Sequence, residues 1–481
     1  MNNKVANPEH DPRSDILYNP IPYGSVDNSQ LPKLSDTTAI KSKRISSEID
    51  RRVDSSLITD DTNITSSGTA TISNETFNLI KNLVGAGALG LPSGVASFAG
   101  ATTALIPSTI IIFIFAGVFG YYFHLLGRIC GVTNTRTYRD AWDATVGRRY
   151  GWIPALFTTL MAGLGNLAYS MILADTVQGL LAWSGLGDAT RNESLVGVTV
   201  LVLLPLCMIK EIQRLAPFSL MGLAGILFTV VAIIVRYFDG TYYGDGKYLE
   251  GLPDHLKPSF NTVGAKGAFS FNVLVLVCMT FQAYFAHYNA PRYHIELKNN
   301  TVKRFAAVVI PSFGVSAVIY TLITVFGFLT FGLNCDGFIL NNYSTDDALM
   351  SICRFAIAFA LALTYPLPFI GTRDGILDLF SVPDCKRTAS NINILSVLLL
   401  ALFTLMASYF KNLGMVNAVG GGLLGTAVVF VFPALMYQGV VTEHLGIEST
   451  KEQRHEVIFA IVLMWMGIIM GAIGVLVSLS L

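Results

Sequence analysis

Two short runs of this sequence place helix-breaking or polar residues inside apolar surroundings. In the first, residues 78–92, Gly85, Gly87, Gly90 and Pro92 interrupt Asn-Leu-Ile-Lys-Asn-Leu-Val-Gly-Ala-Gly-Ala-Leu-Gly-Leu-Pro. In a helix interior a glycine costs about 1 kcal/mol relative to alanine and a proline about 3 kcal/mol. A break is therefore expected near 84–88. Close helix packing through small residues is the alternative, but glycines two and three apart do not share a face. In the second run, 280–297, Gln282, Tyr284, His287 and Asn289 follow an apolar stretch, and Pro291 interrupts the helix. A second break is expected near 280–287, the alternative being an early helix end with interfacial aromatics.

The chemistry that such breaks offer is binding. The amides that open a half-helix lack intrahelical acceptors and carry the positive end of its dipole, so they suit an anion. Carbonyls freed at the end of the preceding half-helix suit a cation. An α-amino acid carries both charges. The candidate substrate-binding residues are thus Asn82, Val84, Gly85, Ala86, Gly87 and Ala88 at the first break, and Thr280, Phe281, Gln282 and Tyr284 at the second.

Three further residues are candidates for coupling to an ion. His287 has an ordinary pKa near 6.5 and stands beside the second break. Asp175 lies among apolar residues, where an ionisable group is expensive, although a water-exposed helix end would also explain it. Thr364 could offer a hydroxyl to a cation. No pair of carboxylates flanks the breaks, so H⁺ is preferred to Na⁺ as the coupled ion. A structural hydrogen bond is the alternative role for His287. Arg354 is expected to snorkel or to pair with Asp346 or Asp347, Lys81 to snorkel or act at a gate, and His124 to be structural. Gly420–Gly422 suits close packing or a moving gate. There is no phosphate-binding loop, zinc-ligand spacing or nucleophile elbow. The chain is expected not to be an enzyme and to need no resident cofactor or metal.

These residues must be held by elements that cross a membrane. Of the 481 residues 52% are hydrophobic and 13% charged, and mean hydropathy is +0.55. Soluble domains carry about 25% charge. A net charge of zero gives no footprint for nucleic acid. Continuous apolar runs exclude a β-barrel, whose strands would alternate. Residues 1–73 are polar and rich in Ser, Thr, Asp and Asn, and read as a disordered cytoplasmic tail that could carry a regulatory partner. No cleavable signal peptide is visible there.

Residues 74–481 read as an all-α transmembrane domain. A helix needs about 20 residues to span the hydrocarbon, which gives eleven spans. The first five are 74–98, 102–126, 152–183, 195–209 and 216–235. The other six are 268–288, 305–331, 348–370, 392–409, 413–437 and 457–479. Loops after even-numbered spans hold sixteen Lys and Arg, those after odd-numbered spans six. Cytoplasmic loops collect these residues, so the N-terminus is expected in the cytoplasm and the C-terminus in the lumen or outside. The Asn192 and Asn342 sequons then fall in non-cytoplasmic loops. No structural disulfide is expected.

The two breaks fall in spans 1 and 6, the spacing of a five-plus-five inverted repeat with one extra helix. In secondary transporters, broken helices at matching positions of two repeats form the substrate site. The sequence also resembles the amino acid/auxin permease family. The resemblance rests on 78–92, on His-x-x-x-Pro-x-Tyr-x-x-Glu-Leu from His287 to Leu297, and on Leu-Thr-Tyr-Pro-Leu-Pro-Phe at 363–369 with Arg373 following. It covers about residues 71–481. Within the second motif Asn289 and Ala290 precede the proline, and a second histidine, His294, follows. The resemblance implies a LeuT-type fold and secondary active transport of amino acids, commonly with H⁺ and in some branches with Na⁺. It favours a vacuolar or lysosomal membrane over the plasma membrane. An amino acid sensor that keeps the transporter fold, and a carrier of another small organic solute, are the alternative functions.

Overall fold

The computed structural model describes residues 68–187, 189–208, 219–444, 446 and 449–480. The predicted tail, 1–73, lies almost wholly outside the described residues. Its last two residues, Ile72 and Ser73, already belong to the first helix.

The described chain is helical, with only two isolated bridges of extended backbone. Helix α1 spans Ile72–Leu83 and α2 spans Ala86–Ala96, with a 44° bend between them. Then come α3 (Thr102–Thr133), α4 (Trp152–Ser184) and a helical run over 191–207. Helix α5 is Ser219–Phe238. Across the second break, α6 (Val273–Ala283) is followed by α7 (Ala290–Glu296). The remainder are α8 (Val302–Phe331), α9 (Ala348–Leu379), α10 (Ala389–Tyr409), α11 (Leu413–Glu443) and α12 (Lys451–Ser480).

Among the described residues nine helices are long and apolar enough to cross a membrane, and ten if the bent pair is one span. The expected count of eleven is not reached. The run over 191–207 corresponds to the expected fourth span, but 209–218, into which that span would extend, lie outside the described residues. Large apolar side chains lie on the outer surfaces of α3, α5, α10 and α12, among them Ile110, Val231, Leu405 and Trp465. Such wide apolar surface fits a lipid surround.

Because helices alternate in direction, the molecule has two ends. The chain enters α1 at one, the entry side, and leaves α2 at the other, the far side. On the far side the loop 332–347 packs inward. A Cβ on Gly90 would stand 2.8 Å from the Gly337 carbonyl, and one on Gly337 would stand 2.5 Å from the Gly414 amide. Three elements thus meet through glycines at van der Waals limits. On the entry side Arg128 of α3 holds Glu456 of α12 at 2.6 and 3.0 Å. Tyr437 of α11 donates to the same carboxylate at 2.5 Å.

Candidate substrate site

The first break forms where the sequence loses helix propensity. Thr71 caps α1 by accepting from the Asn74 amide. The helix ends at Leu83, and Val84 and Gly85 are extended, with Gly85 at φ −122°, ψ 176°. A tight turn over Ala86–Gly90 then winds into the α-helical Leu91–Ala96. Pro92 sits in the first turn of that segment, where its missing amide has no cost. Among the described residues no backbone carbonyl accepts from the amides of Gly85, Ala86 or Gly87. They open a half-helix with its positive dipole end exposed.

The second break lies in line with the expectation. Helix α6 ends at Ala283, 284–286 unwind, a short turn covers His287–Asn289, and Pro291 sits in the first turn of α7. Tyr320, buried in α8, joins the two breaks. Its hydroxyl lies 2.7 Å from the Leu83 carbonyl and 2.7 Å from the Ala283 carbonyl. Those are the end carbonyls of the two first half-helices. A hydroxyl has one proton, so it donates to one of them at a time.

A cavity of about 520 Å³ runs from the breaks towards the entry side. Its inner wall includes Asn82, Gly85, Ala86, Gly87, Ala88 and Gln282. Across from them stand α4, with Gly165, Ala168 and Tyr169, and α9, with Pro368 and Gly371. Arg139, Asp374 and Asp378 line its entry-side mouth. Both carboxylates are paired, Asp374 with Arg373 at 2.9 Å and Asp378 with Arg387 at 2.7 Å.

Four of the expected substrate residues face elsewhere. Val84 is buried. The Thr280 hydroxyl donates back to the Leu276 carbonyl at 2.7 Å. Phe281 packs on Phe115, Phe119 and Phe430. The Tyr284 hydroxyl donates to the Ile112 carbonyl at 3.3 Å, with its ring against Tyr320.

The three expected coupling residues are not brought together. His287 is wholly buried, with Nε2 2.9 Å from the Phe119 carbonyl and its ring among Phe119, Phe123 and Phe313. Its Nδ1 has no partner among the described residues. The Thr364 hydroxyl donates to the Ala360 carbonyl at 2.9 Å. Asp175 forms an ion pair with Arg191, which also donates to the Ala407 carbonyl at 2.7 Å. The Asn341 amide reaches both Asp175, at 3.3 Å, and Asp336, at 3.0 Å. Two carboxylates from different elements thus share one amide beneath the far-side loop. Burial raises the Asp336 carboxyl above the usual range. The Asp175 charge acts in the same direction, opposed by hydrogen bonds from Phe338 and Asn341.

Other expectations shift as well. Arg354 neither snorkels nor pairs with Asp346 or Asp347. It is buried and donates to the carbonyls of Leu340, Tyr343 and Ser344, at 2.8, 2.5 and 3.2 Å, bracing the far-side loop. Asp347 pairs instead with Arg236. His124 lies 3.2 Å from the Val302 carbonyl, and all six cysteines are free. Sequence reasoning missed Tyr320, which stands in an ordinary apolar span. It also missed Asn417 of α11, a single polar residue beside the Gly420–Gly422 run.

The sequence matches the family described as transmembrane amino acid transporter protein over residues 68–480. The putative sodium-coupled neutral amino acid transporter 11 of Danio rerio is 24% identical over 418 residues, covering 85% of this chain and 86% of its own. The amino acid transporter AVT6E of Arabidopsis thaliana is 24% identical over 378 residues, covering 75% and 74%. Among solved structures, MhsT in complex with L-phenylalanine aligns at a TM-score of 0.53 and 12% identity, over 84% of this chain and 98% of MhsT. Mhp1 in an inward-facing conformation aligns at 0.54 and 10%, over 86% and 89%. The chain therefore has the LeuT-type fold that the resemblance to the amino acid/auxin permease family implied.

Proposed function

The chain belongs to the transmembrane amino acid transporter family, and on that premise we propose how this secondary transporter holds its cargo and its coupling ion. The cargo is a neutral L-amino acid. Its carboxylate lies at the amides of Gly85, Ala86 and Gly87, and its ammonium beside Asn82 and Gln282. The observation that carries this reading is the set of unaccepted amides opening α2 onto the cavity. Fixed donors of this kind recognise an anion without moving. The neutral class is supported by the lining. The side chains nearest the breaks are uncharged, and the two carboxylates at the mouth are already paired. Several relatives are named as neutral amino acid transporters.

The coupling ion we propose is H⁺, taken up at Asp175 together with Asp336. Their two carboxylates share Asn341; Arg191 pairs with Asp175, and His255 exerts a weaker pull on Asp336. A proton between them relieves the repulsion of like charges. His287 has no carboxylate beside it among the described residues, which supports a structural role at the second break. Sodium is the second reading, favoured by the names of the relatives called sodium-coupled. The Lys and Arg bias supports a cytoplasmic entry side, and an acidic vacuolar or lysosomal lumen on the far side would supply the protons.

Reconstituted vesicles test this reading. Labelled L-alanine and L-leucine should accumulate under a pH gradient without sodium. Asp175→Asn should abolish that accumulation while sparing exchange of internal for external amino acid. Accumulation driven by sodium alone would overturn the proton assignment. Uptake confined to charged amino acids would overturn the neutral class.

A further inference from the structure

Three side-chain amides on the cavity wall have, among the described residues, no hydrogen-bond partner at one buried atom: Asn82 at Nδ2, Gln282 at Oε1 and Asn417 at Nδ2. Nature leaves few buried polar atoms unpaired, and each one calls for a reason. Two of the three belong to the breaks. The third, Asn417, comes from α11, an element that neither the breaks nor the sequence motifs implicate.

Asn417 is only 4% exposed. Its Nδ2 would stand 3.5 Å from a Cβ placed on Gly90, so the amide lies against the turn that opens α2. One turn further on, a Cβ on Gly420 would stand 3.0 Å from Gln282 Oε1. The glycine run allows this approach, because a Cβ on Gly421 would come within 2.7 Å of the backbone nitrogen of Gln282. Helix α11 is thus pressed against both breaks, with its buried side-chain amide against the turn at Gly90 and on the wall of the cavity that Gly85–Gly87 also line.

We propose that Asn417 is a substrate contact, the side-chain donor that α11 adds to the carboxylate cradle of the first break. This rests on the substrate placement proposed above and deepens it. A half-helix N-terminus attracts any anion. An added donor from a second element fixes where the two oxygens lie, and so distinguishes a carboxylate from groups of other shape or charge. Asn417 Nδ2 has no partner among the described residues, so this donor holds no packing network together.

The experiment measures binding and uptake of L-leucine and of its carboxamide, L-leucinamide, by the full chain in vesicles. The variants are Asn417→Leu, similar in size and without a donor, and Asn417→Asp, which sets a like charge against the carboxylate. Thermal stability is recorded for each. The preference of the wild type for L-leucine over L-leucinamide should fall about tenfold or more in Asn417→Leu, as expected for one lost hydrogen bond to a charged group. In Asn417→Asp the preference should reverse, with stability retained in at least this near-isosteric variant. An unchanged preference in a folded variant overturns the assignment, as does an equal loss for both ligands, which would mark Asn417 as merely shaping the wall. A wild type that takes up neither L-leucine nor L-alanine overturns the substrate reading itself, and this inference with it.

Discussion

Tyr320 shows how a single residue can hold the site together. Its hydroxyl meets the end carbonyls of both first half-helices, so the two breaks are fixed relative to each other by one proton. Tyr320→Phe removes that donor from two buried carbonyls at little change of shape. An unpaired buried group costs about 1–3 kcal/mol. The variant should therefore melt at lower temperature, and its uptake should fall by more than its folded fraction. Equal melting and uptake would show that the carbonyls find other donors. At this scale the sequence was partly legible. The Gly/Pro run and Gln282 marked the right segments, because glycine spacing and buried amides reflect local backbone and polarity. It did not reveal the rotation of α6. Thr280 and Tyr284, four apart, share a face that packs inward, while Gln282 and Phe285, three apart, face the cavity. Which face meets the cavity is decided by neighbours distant in sequence.

Among the elements, the loop 332–347 is the part least legible beforehand. It contains no Lys or Arg and reads as an ordinary connection. Its closure depends on glycines 90, 337 and 414 and on the Arg354 guanidinium, all brought together by tertiary packing. Gly90→Ala should unseat it, because the added methyl would stand 2.8 Å from a backbone oxygen. Cys335, buried in the loop, gives a native reporter. Its alkylation, read by peptide mass spectrometry, should be faster in Gly90→Ala than in the wild type. Unaltered labelling would mean that the loop yields without opening.

The same loop should respond to pH. Burial raises the Asp336 carboxyl while the loop is seated. Protonation therefore favours the seated loop, and that contribution is lost as pH rises through the raised value. Asp336→Asn mimics the protonated form. Below the raised value the variant and wild type should label Cys335 alike, and above it the wild type should label faster. Identical rates at both would remove Asp336 from any gating role. Helix boundaries were legible to within two or three turns. They extend past the apolar runs, for example to Thr133 and Leu379, because polar turns at the membrane margin continue a helix that the apolar core has started.

At the scale of the molecule, the tie between Arg128, Glu456 and Tyr437 closes the entry-side ends of α3, α11 and α12. Breaking one partner of a buried ion pair costs about 3–5 kcal/mol, because the other charge is left uncompensated. These side chains are about one-fifth exposed, 18% and 23%, so the lower end of that range applies. Glu456→Gln should lower the melting temperature, and a double variant with Arg128→Met should recover part of the loss. No recovery would show that the pair acts through separate contacts.

The architecture as a whole was legible from apolar runs and from two interruptions five spans apart, because a membrane forces irregular backbone into cavities. What the sequence did not show was which side is open. The structure has its cavity open to the entry side and sealed by the far-side loop. The most direct test of the account is uptake of labelled L-leucine by vesicles carrying wild type or Gly87→Val. A Cβ on Gly87 meets nothing within 4 Å, so valine fits the fold and projects into the space assigned to the carboxylate. The account predicts a variant that melts like the wild type and takes up no L-leucine. Wild-type uptake by a folded Gly87→Val would contradict it.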